Sequence, residues 1–137
     1  MLYRFLFRVV FVRLNPEVAH ELVAGAMKFL SAVGLLRAKK SQITKTVMGL
    51  EFANLLGMAA GFDKNGTLIR PLHSLGFGHV EIGTVTPVSQ PGNPKPRLFR
   101  LPKNKSLINS MGFNNDGAAA VAARVSSLRL KNQNLPI

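Results

Sequence analysis

A glycine-rich segment, residues 57–66, carries the residue types best suited to contact a flat ring or a phosphate group. It offers backbone without side-chain bulk, and Lys64 adds a cation at the same place. Two nucleotide-binding patterns are absent, however. Gly61 and Gly66 have the spacing of a phosphate-binding loop but the required lysine does not follow, and residues 76–78 lack the third glycine of a dinucleotide fingerprint. Tight turns are the alternative explanation of these glycines.

The overall charge limits the classes of partner. The chain has 137 residues and a net charge of +12, and residues 95–105 hold five Lys or Arg without an acid. Nucleic acid, anionic lipid and small anions are therefore candidate ligands, although such a run is also compatible with a solvated loop. No cysteine is present, and the histidines His73 and His79 lack metal-ligand spacing, so no metal site is expected.

Two helices are predicted to precede the glycine-rich segment. Residues 2–13 have amphipathic spacing, and Asn15-Pro16-Glu17 is a helix start that predicts a second helix from Pro16 to about Val33. The pair forms either a hairpin packed on the core or an interfacial anchor whose basic residues contact lipid headgroups. The basic residues are Arg4, Arg8, Arg13, Arg37, Lys39 and Lys40. No segment is apolar for long enough to span a bilayer, and no signal or transit peptide is expected.

The period then changes to that of strands. Strands are predicted at Val47–Phe52, at Leu55–Ala60 with both faces buried, and at Val80–Val85, with a helix over Gly66–Leu75. Leu98–Leu101 and Ser106–Ile108 are expected to form a hairpin, Asp116 to cap a helix reaching about Leu130, and Leu135–Ile137 to open a third strand. This order predicts an α/β fold with a helical extension at residues 1–40. Residues 41–137 are expected to form the first βα units of a (β/α)₈ TIM barrel that stops before closure.

Four motifs occur in one order within sixty residues, and together they carry a family resemblance. They are residues 57–66, 81–87, 91–100 and 109–115. In this order the motifs resemble the first part of the class 2 dihydroorotate dehydrogenases, which are quinone-dependent flavoenzymes of pyrimidine biosynthesis associated with membranes. The resemblance implies oxidation of dihydroorotate to orotate through flavin mononucleotide (FMN), which a membrane quinone then reoxidises.

The resemblance assigns roles to individual residues. FMN contacts are expected from Ala60, Gly61, Phe62, Asp63, Lys64 and Thr84, although Thr84 also fits an ordinary strand end. The substrate is expected at Lys64, Asn109, Ser110, Met111, Gly112 and Phe113, because an asparagine amide suits a pyrimidine ring. His20 and Arg100 match the walls of the quinone tunnel, although His20 could be an ordinary helix histidine. The catalytic serine of the family is expected beyond residue 137, and neither Ser106 nor Ser110 replaces it.

Two other functions compete with this interpretation. The first is a non-enzymatic basic protein of the membrane surface, derived from the enzyme and acting through its helices. The second is a nucleic-acid binder, which the single Tyr and the absence of Trp disfavour. The location expected for the enzyme is peripheral, on the cytoplasmic face of a bacterial cell membrane. For the 137 residues alone we expect little activity and poor solubility, because two apolar strands leave their edges open.

Overall fold

The computed structural model describes residues 5–37 and 44–131. Within these residues a π-helical segment covers Phe7–Phe11, and the α-helices are α1 (Pro16–Ala32), α2 (Ile69–Ser74) and α3 (Ala118–Lys131). Three strands of the described residues follow α1: β1 (Lys45–Val47), β2 (Leu50–Phe52) and β3 (Gly57–Asp63). Three more of the described strands follow α2: β4 (His79–Ile82), β5 (Leu98–Leu101) and β6 (Ser106–Asn109). A short 3₁₀ turn, Pro102–Asn104, joins β5 to β6. The strands form three two-stranded sheets, β1–β2, β3–β4 and β5–β6.

Helix α1 begins where the sequence predicts. The Asn15 side chain accepts the amide hydrogens of Glu17 and Val18 at 2.9 and 3.4 Å, and Pro16 occupies the first turn. The preceding segment differs from the predicted α-helix, because the Val12 amide donates to the carbonyl of Phe7, five residues back. Over so few residues, the spacing of apolar side chains cannot distinguish an α-helix from a π-helical turn. Residues 1–4 lie outside the described part.

The single strand predicted over Val47–Phe52 is wrong. The chain there forms an antiparallel hairpin in which Val47 pairs with Leu50 across a two-residue turn. Both turn residues, Met48 and Gly49, have positive φ angles of 51° and 78°. This backbone is the one that two-residue hairpins favour, but Met-Gly lacks the Asn-Gly or Asp-Gly pattern that normally reveals it. The β5–β6 hairpin, by contrast, is confirmed, with Leu98 opposite Asn109.

The predicted strand–helix–strand unit is present as β3, α2 and β4. Strands β3 and β4 pair in parallel, with Gly57 beside His79 and Met58 beside Val80. The expectation that the first strand is buried on both faces is wrong for this chain, because residues 59–61 are exposed. Met58 and Phe62 of β3 pack against the core, whereas Ala60 and Gly61 line a cavity. This asymmetry leaves the strand end accessible to a ligand.

The core lies where three helices meet the parallel pair. Its buried centre consists of Leu68, Ile69 and Leu72 around helix α2 and Val80 of β4. Helix α1 contributes Ala24 and Met27, and helix α3 contributes Val125 and Leu128. Helix α1 is thus packed against the βα unit, as the hairpin alternative predicts, whereas much of its apolar surface stays exposed.

Helix α3 starts differently from the prediction. Asp116 does not cap it, because its carboxylate pairs with Arg124 at 3.0 Å, and Gly117, with a φ of 85°, precedes the first helical residue. The turn is instead held by the Asn115 side chain, which accepts the Gly117 amide at 2.9 Å. The strand predicted at Leu135–Ile137 lies outside the described residues. Within residues 5–37 and 44–131 no helix is both long enough and apolar enough to cross a bilayer.

A candidate ligand site with two cavities that share Lys64

Two cavities meet at the carboxyl end of strand β3. The larger, of about 700 Å³, lies between helix α1 and the strand end, and the smaller, of about 210 Å³, lies beside the end of β4. Both are lined by Gly61, Lys64 and Asn114. Barrel enzymes build their active sites at this end of their parallel strands. The position of Lys64 on the boundary makes it the central residue of the site.

The Lys64 ammonium is held by the loop of residues 109–115, here named the substrate loop. Its Nζ atom donates to the Gly112 carbonyl at 3.1 Å and to the Asn114 Oδ1 atom at 2.6 Å. Burial lowers the pKa of Lys64, the nearby Arg97 cation lowers it further, and the Glu17 carboxylate acts in the opposite direction. Lys64 is therefore a half-buried cation with a partly desolvated charge, suited to bind an anionic group.

Gly83 makes room for the Lys64 stem. A Cβ atom at position 83 would lie 3.1–3.3 Å from the Cα, Cβ and Cγ atoms of Lys64. That separation is tighter than ordinary packing, so the glycine permits the lysine to lie across the end of β4. Gly83 was not among the predicted site residues, although it stands inside the second motif. Its neighbour Thr84 is exposed and lines the smaller cavity with Ala60.

Asp63 has a structural role that its place in the motif does not reveal. Its side chain is 2% exposed, and its two oxygens accept the amides of Thr67 and Leu68 at 2.8 and 2.6 Å. These bonds shape the turn before α2, and the helix starts at Ile69 instead of the predicted Gly66. The buried Asp63 carboxylate therefore stabilises this turn.

The larger cavity brings together the residues predicted for a quinone tunnel. His20 and Arg100 both line it, and the His20 ring packs edge-on against Phe62 with 4.8 Å between ring centres. Arg100 also donates to the Leu14 carbonyl at 2.5 Å, which fixes the chain before helix α1. Phe62, predicted as a flavin contact, thus lies on the side of the larger cavity.

The substrate loop divides its residues between the cavities. Asn109 and Met111 line the larger one, whereas Gly112 and Phe113 line the smaller. The side-chain oxygen of Asn109 accepts a hydrogen bond from the Met111 amide at 2.9 Å. The side-chain NH₂ group of Asn109 is therefore available to a ligand. Ser110 lines neither cavity, because its amide and hydroxyl both donate to the Arg97 carbonyl, at 2.9 and 3.3 Å.

Several important residues were absent from the sequence-based prediction. Asn114 is the side-chain partner of Lys64, and Asn115, 4% exposed, donates to the Phe113 carbonyl at 2.7 Å and so organises the loop. In the sequence, two asparagines before a predicted helix indicate only a turn. Glu17 and Arg97 form a buried ion pair of 2.6 Å across eighty residues of sequence. The hydrogen bond from Arg97 lowers the pKa of Glu17, and that to Glu17 raises the pKa of Arg97.

The residues of the smaller cavity fit one edge of a flavin. Gly61 has a φ of 96°, and nothing lies within 4 Å of the place where a Cβ atom would stand, so its backbone is open to a flat ring. Lys64 supplies a positive charge at this edge, as an electron-rich ring requires. Within the described residues His, Asp and Glu do not cluster in groups that could hold a metal ion.

Together these features define an α/β protein with a candidate ligand site at the carboxyl ends of parallel strands. The sequence model of the family described as dihydroorotate dehydrogenase matches residues 42–137. The chain belongs to the dihydroorotate dehydrogenase family.

The similarity to curated relatives extends across the helical extension. The chain is 51% identical over 134 residues to the dihydroorotate dehydrogenase (quinone) of Methylococcus capsulatus and 52% identical over 132 residues to that of Nitrosospira multiformis. Each alignment covers 96% of this chain, but only 39% and 38% of the respective relative. The chain therefore spans about two fifths of the length of these enzymes.

Solved structures agree with the fold. The dihydroorotate dehydrogenase of Eimeria tenella in complex with ferulenol is similar with a TM-score of 0.69 and 41% identity, over 83% of this chain and 30% of that one. The ligand-free form of the same enzyme matches equally well in TM-score and identity. A mixed α/β fold that corresponds to part of a barrel is consistent with both.

Proposed function

We propose that this chain provides the N-terminal part of a quinone-dependent dihydroorotate dehydrogenase, which oxidises dihydroorotate to orotate through FMN in pyrimidine biosynthesis. The observation that carries the proposal is the place of Lys64. It stands between a small cavity that fits a flavin edge and a larger cavity with one apolar, aromatic wall. The names of the relatives suggest the reaction, and the position of Lys64 between two cavities supports the proposal.

In this proposal the residues of the smaller cavity hold cofactor and substrate. Ala60, Gly61 and Thr84 support the flavin edge, and FMN, when bound, supplies the hydride acceptor. The Lys64 ammonium binds the carboxylate of dihydroorotate, while Phe113 excludes water from the ring. Asn109 lines the larger cavity, and in this proposal its free NH₂ group reaches the pyrimidine from that side, next to Lys64. The serine base of the family is expected outside these residues.

The larger cavity is proposed to receive the quinone. Its wall combines the rings of His20 and Phe62, which pack edge to face, with the guanidinium of Arg100. An aromatic wall suits the flat quinone ring, and a cationic donor suits its carbonyl oxygen. Exposed apolar residues on helix α1 support peripheral attachment to a membrane, which we place on the cytoplasmic face of a bacterial cell.

A chimeric enzyme tests this function. Residues 1–137 would replace the matching segment of the Methylococcus capsulatus relative, so that a complete barrel surrounds the site. We expect the chimera to purify with bound FMN and to reduce a soluble quinone analogue when dihydroorotate is added. A folded chimera that binds no flavin, or that binds flavin without oxidising dihydroorotate, would contradict the proposal.

A further inference from the structure

Arg97 is a buried cation that joins helix α1 to the loop before strand β5. Its side chain is 7% exposed, and its Nε and Nη2 atoms donate to the two Glu17 oxygens at 3.3 and 2.6 Å. Its Nη1 atom donates to the carbonyls of Pro91 and Asn93 at 2.7 and 3.1 Å. A guanidinium that meets a carboxylate with two bonds fixes orientation as well as charge.

The loop before strand β5 also forms hydrogen bonds with the substrate loop. The Arg97 carbonyl accepts both the amide and the hydroxyl of Ser110, and Asn93 donates from its backbone to Met111 and from its side chain to Ser110, at 3.0 and 2.7 Å. The next residues, Gly112 and Asn114, are those that hold Lys64. Hydrogen bonds from Glu17 to Arg97 and from the loop before β5 to the substrate loop, together with the backbone of the substrate loop, therefore connect Glu17 to the Lys64 ammonium.

We propose that Glu17 and Arg97 are positioning residues whose ion pair, the Glu17–Arg97 clamp, joins helix α1 to the substrate loop and so places Lys64 between the two cavities. Helix α1 forms a wall of the larger cavity, and the substrate loop forms a wall of the smaller. One buried pair thus sets the spacing of the two walls. The inference rests on the proposed function only for what Lys64 binds there.

The clamp also sets the electrostatic environment of Lys64. Beyond the effect of burial, Arg97 lowers the pKa of Lys64 and Glu17 raises it. Neutralising one partner should therefore move the titration of Lys64 in the opposite direction from neutralising the other. Opposite signs would show that both charges act directly on Lys64. Among the described residues, the other charged or titratable groups that line the larger cavity are Asp63, His20, Glu21, Lys28 and Arg100. Lys95 lies 3.2 Å from Glu17 and 3.8 Å from Glu21.

Competitive acetylation of the dilute 137-residue chain tests the clamp. Acetic anhydride modifies unprotonated amines, so the reaction of Lys64 across pH, read by mass spectrometry, reports its protonation. Lys103, exposed in the 3₁₀ turn, serves as the reference within the same molecule. Relative to the parent chain, we expect Lys64 to titrate at lower pH in Glu17→Gln and at higher pH in Arg97→Gln. The readout needs neither flavin nor substrate, so it stands even where the proposed function fails.

Matched controls and a conservative variant complete the experiment. Glu51→Gln and Lys105→Gln remove the same charges from exposed positions and should leave the titration of Lys64 unchanged. Arg97→Lys keeps the charge but loses the two-bond fork, so Lys64 should titrate as in the parent while the Ser110 amide exchanges with deuterium about tenfold faster.

Two results would overturn the proposal. The first is a shift of the same sign in Glu17→Gln and Arg97→Gln, or shifts no larger than those of the controls. The second is unchanged exchange at Ser110 in Arg97→Lys. If Arg97→Gln loses its helical circular dichroism, the proposal is judged on the other two variants. Glu17→Gln must then lower the pH at which Lys64 titrates, and Arg97→Lys must increase the rate of deuterium exchange at the Ser110 amide.

Discussion

The Lys64 ammonium is held by one backbone oxygen and one side-chain oxygen of the substrate loop, and its stem lies across Gly83. None of these partners is close to it in sequence. The glycine-rich motif places Lys64 just after a strand, which sequence alone predicts. The partners depend on how the chain returns from β6 towards β3, and no local pattern specifies that path.

Replacing Lys64 by Ala should abolish turnover in the chimeric enzyme. The variant loses the cation that faces both cavities, and electrostatic groups of this kind typically contribute about 100-fold or more to rate. Steady-state reduction of a quinone analogue by dihydroorotate measures the loss, and flavin absorbance shows whether FMN is retained. Lys103→Ala is the matched control, because Lys103 is an exposed lysine outside both cavities. Near-normal activity of Lys64→Ala would remove this residue from the site.

At the scale of elements, local chemistry decides what the sequence can predict. The Asn15 cap, the β5–β6 hairpin and the β3–α2–β4 order follow from neighbouring residues, and the structure contains them. The β1–β2 hairpin was missed because Met48 adopts a positive φ without a typical turn residue. The late start of α2 was missed because Asp63, whose carboxylate shapes the preceding turn, resembles a ligand contact in its motif.

Asp63→Ala should destabilise the start of helix α2. The variant leaves the buried amides of Thr67 and Leu68 without acceptors, at a cost of about 1–3 kcal/mol for a buried unsatisfied group. Pulse proteolysis in urea, at low protein concentration, measures the change in unfolding free energy. Glu51→Ala, which removes an exposed carboxylate, is the control. Equal stability of the two variants would show that the Asp63 carboxylate does not hold this turn.

The ion pair between Glu17 on helix α1 and Arg97 in the loop before β5 should weaken in acid. Hydrogen bonding from Arg97 holds the pKa of Glu17 below its ordinary value of 4.5. A carboxyl whose pKa is lowered on folding stabilises the fold fully above the unfolded value. That contribution is lost as the pH falls through the folded value, below 4.5. When the pH is lowered through this range, the thermal midpoint of the parent chain should therefore decrease by more than the thermal midpoint of Glu17→Gln does. Parallel curves for the two proteins, followed by circular dichroism, would contradict this expectation.

At the scale of the whole molecule, the positive charge and the exposed apolar surface both favour contact with an anionic membrane. The net charge is +12, and large apolar side chains are exposed both on helix α1 and on the faces around the parallel strands. The sequence predicted the positive charge and the amphipathic helix. It did not predict that residues 59–61 would be uncovered, because exposure of β3 depends on which strands lie beside it. Aggregation of the isolated chain is the expected consequence.

The exposed apolar side of helix α1 should bind anionic membranes. Leu22 and Phe29 are 59% and 65% exposed and lie seven residues apart, two turns along the helix. The double variant Leu22→Glu with Phe29→Glu should reduce sedimentation with phosphatidylglycerol vesicles by about tenfold or more, because it removes buried apolar area and adds repulsion. A matched variant, Leu55→Glu with Leu56→Glu, changes two residues that are each 64% exposed but lie outside the helix. If both variants lose vesicle binding equally, general stickiness of the chain explains the attachment, and helix α1 is not a membrane anchor.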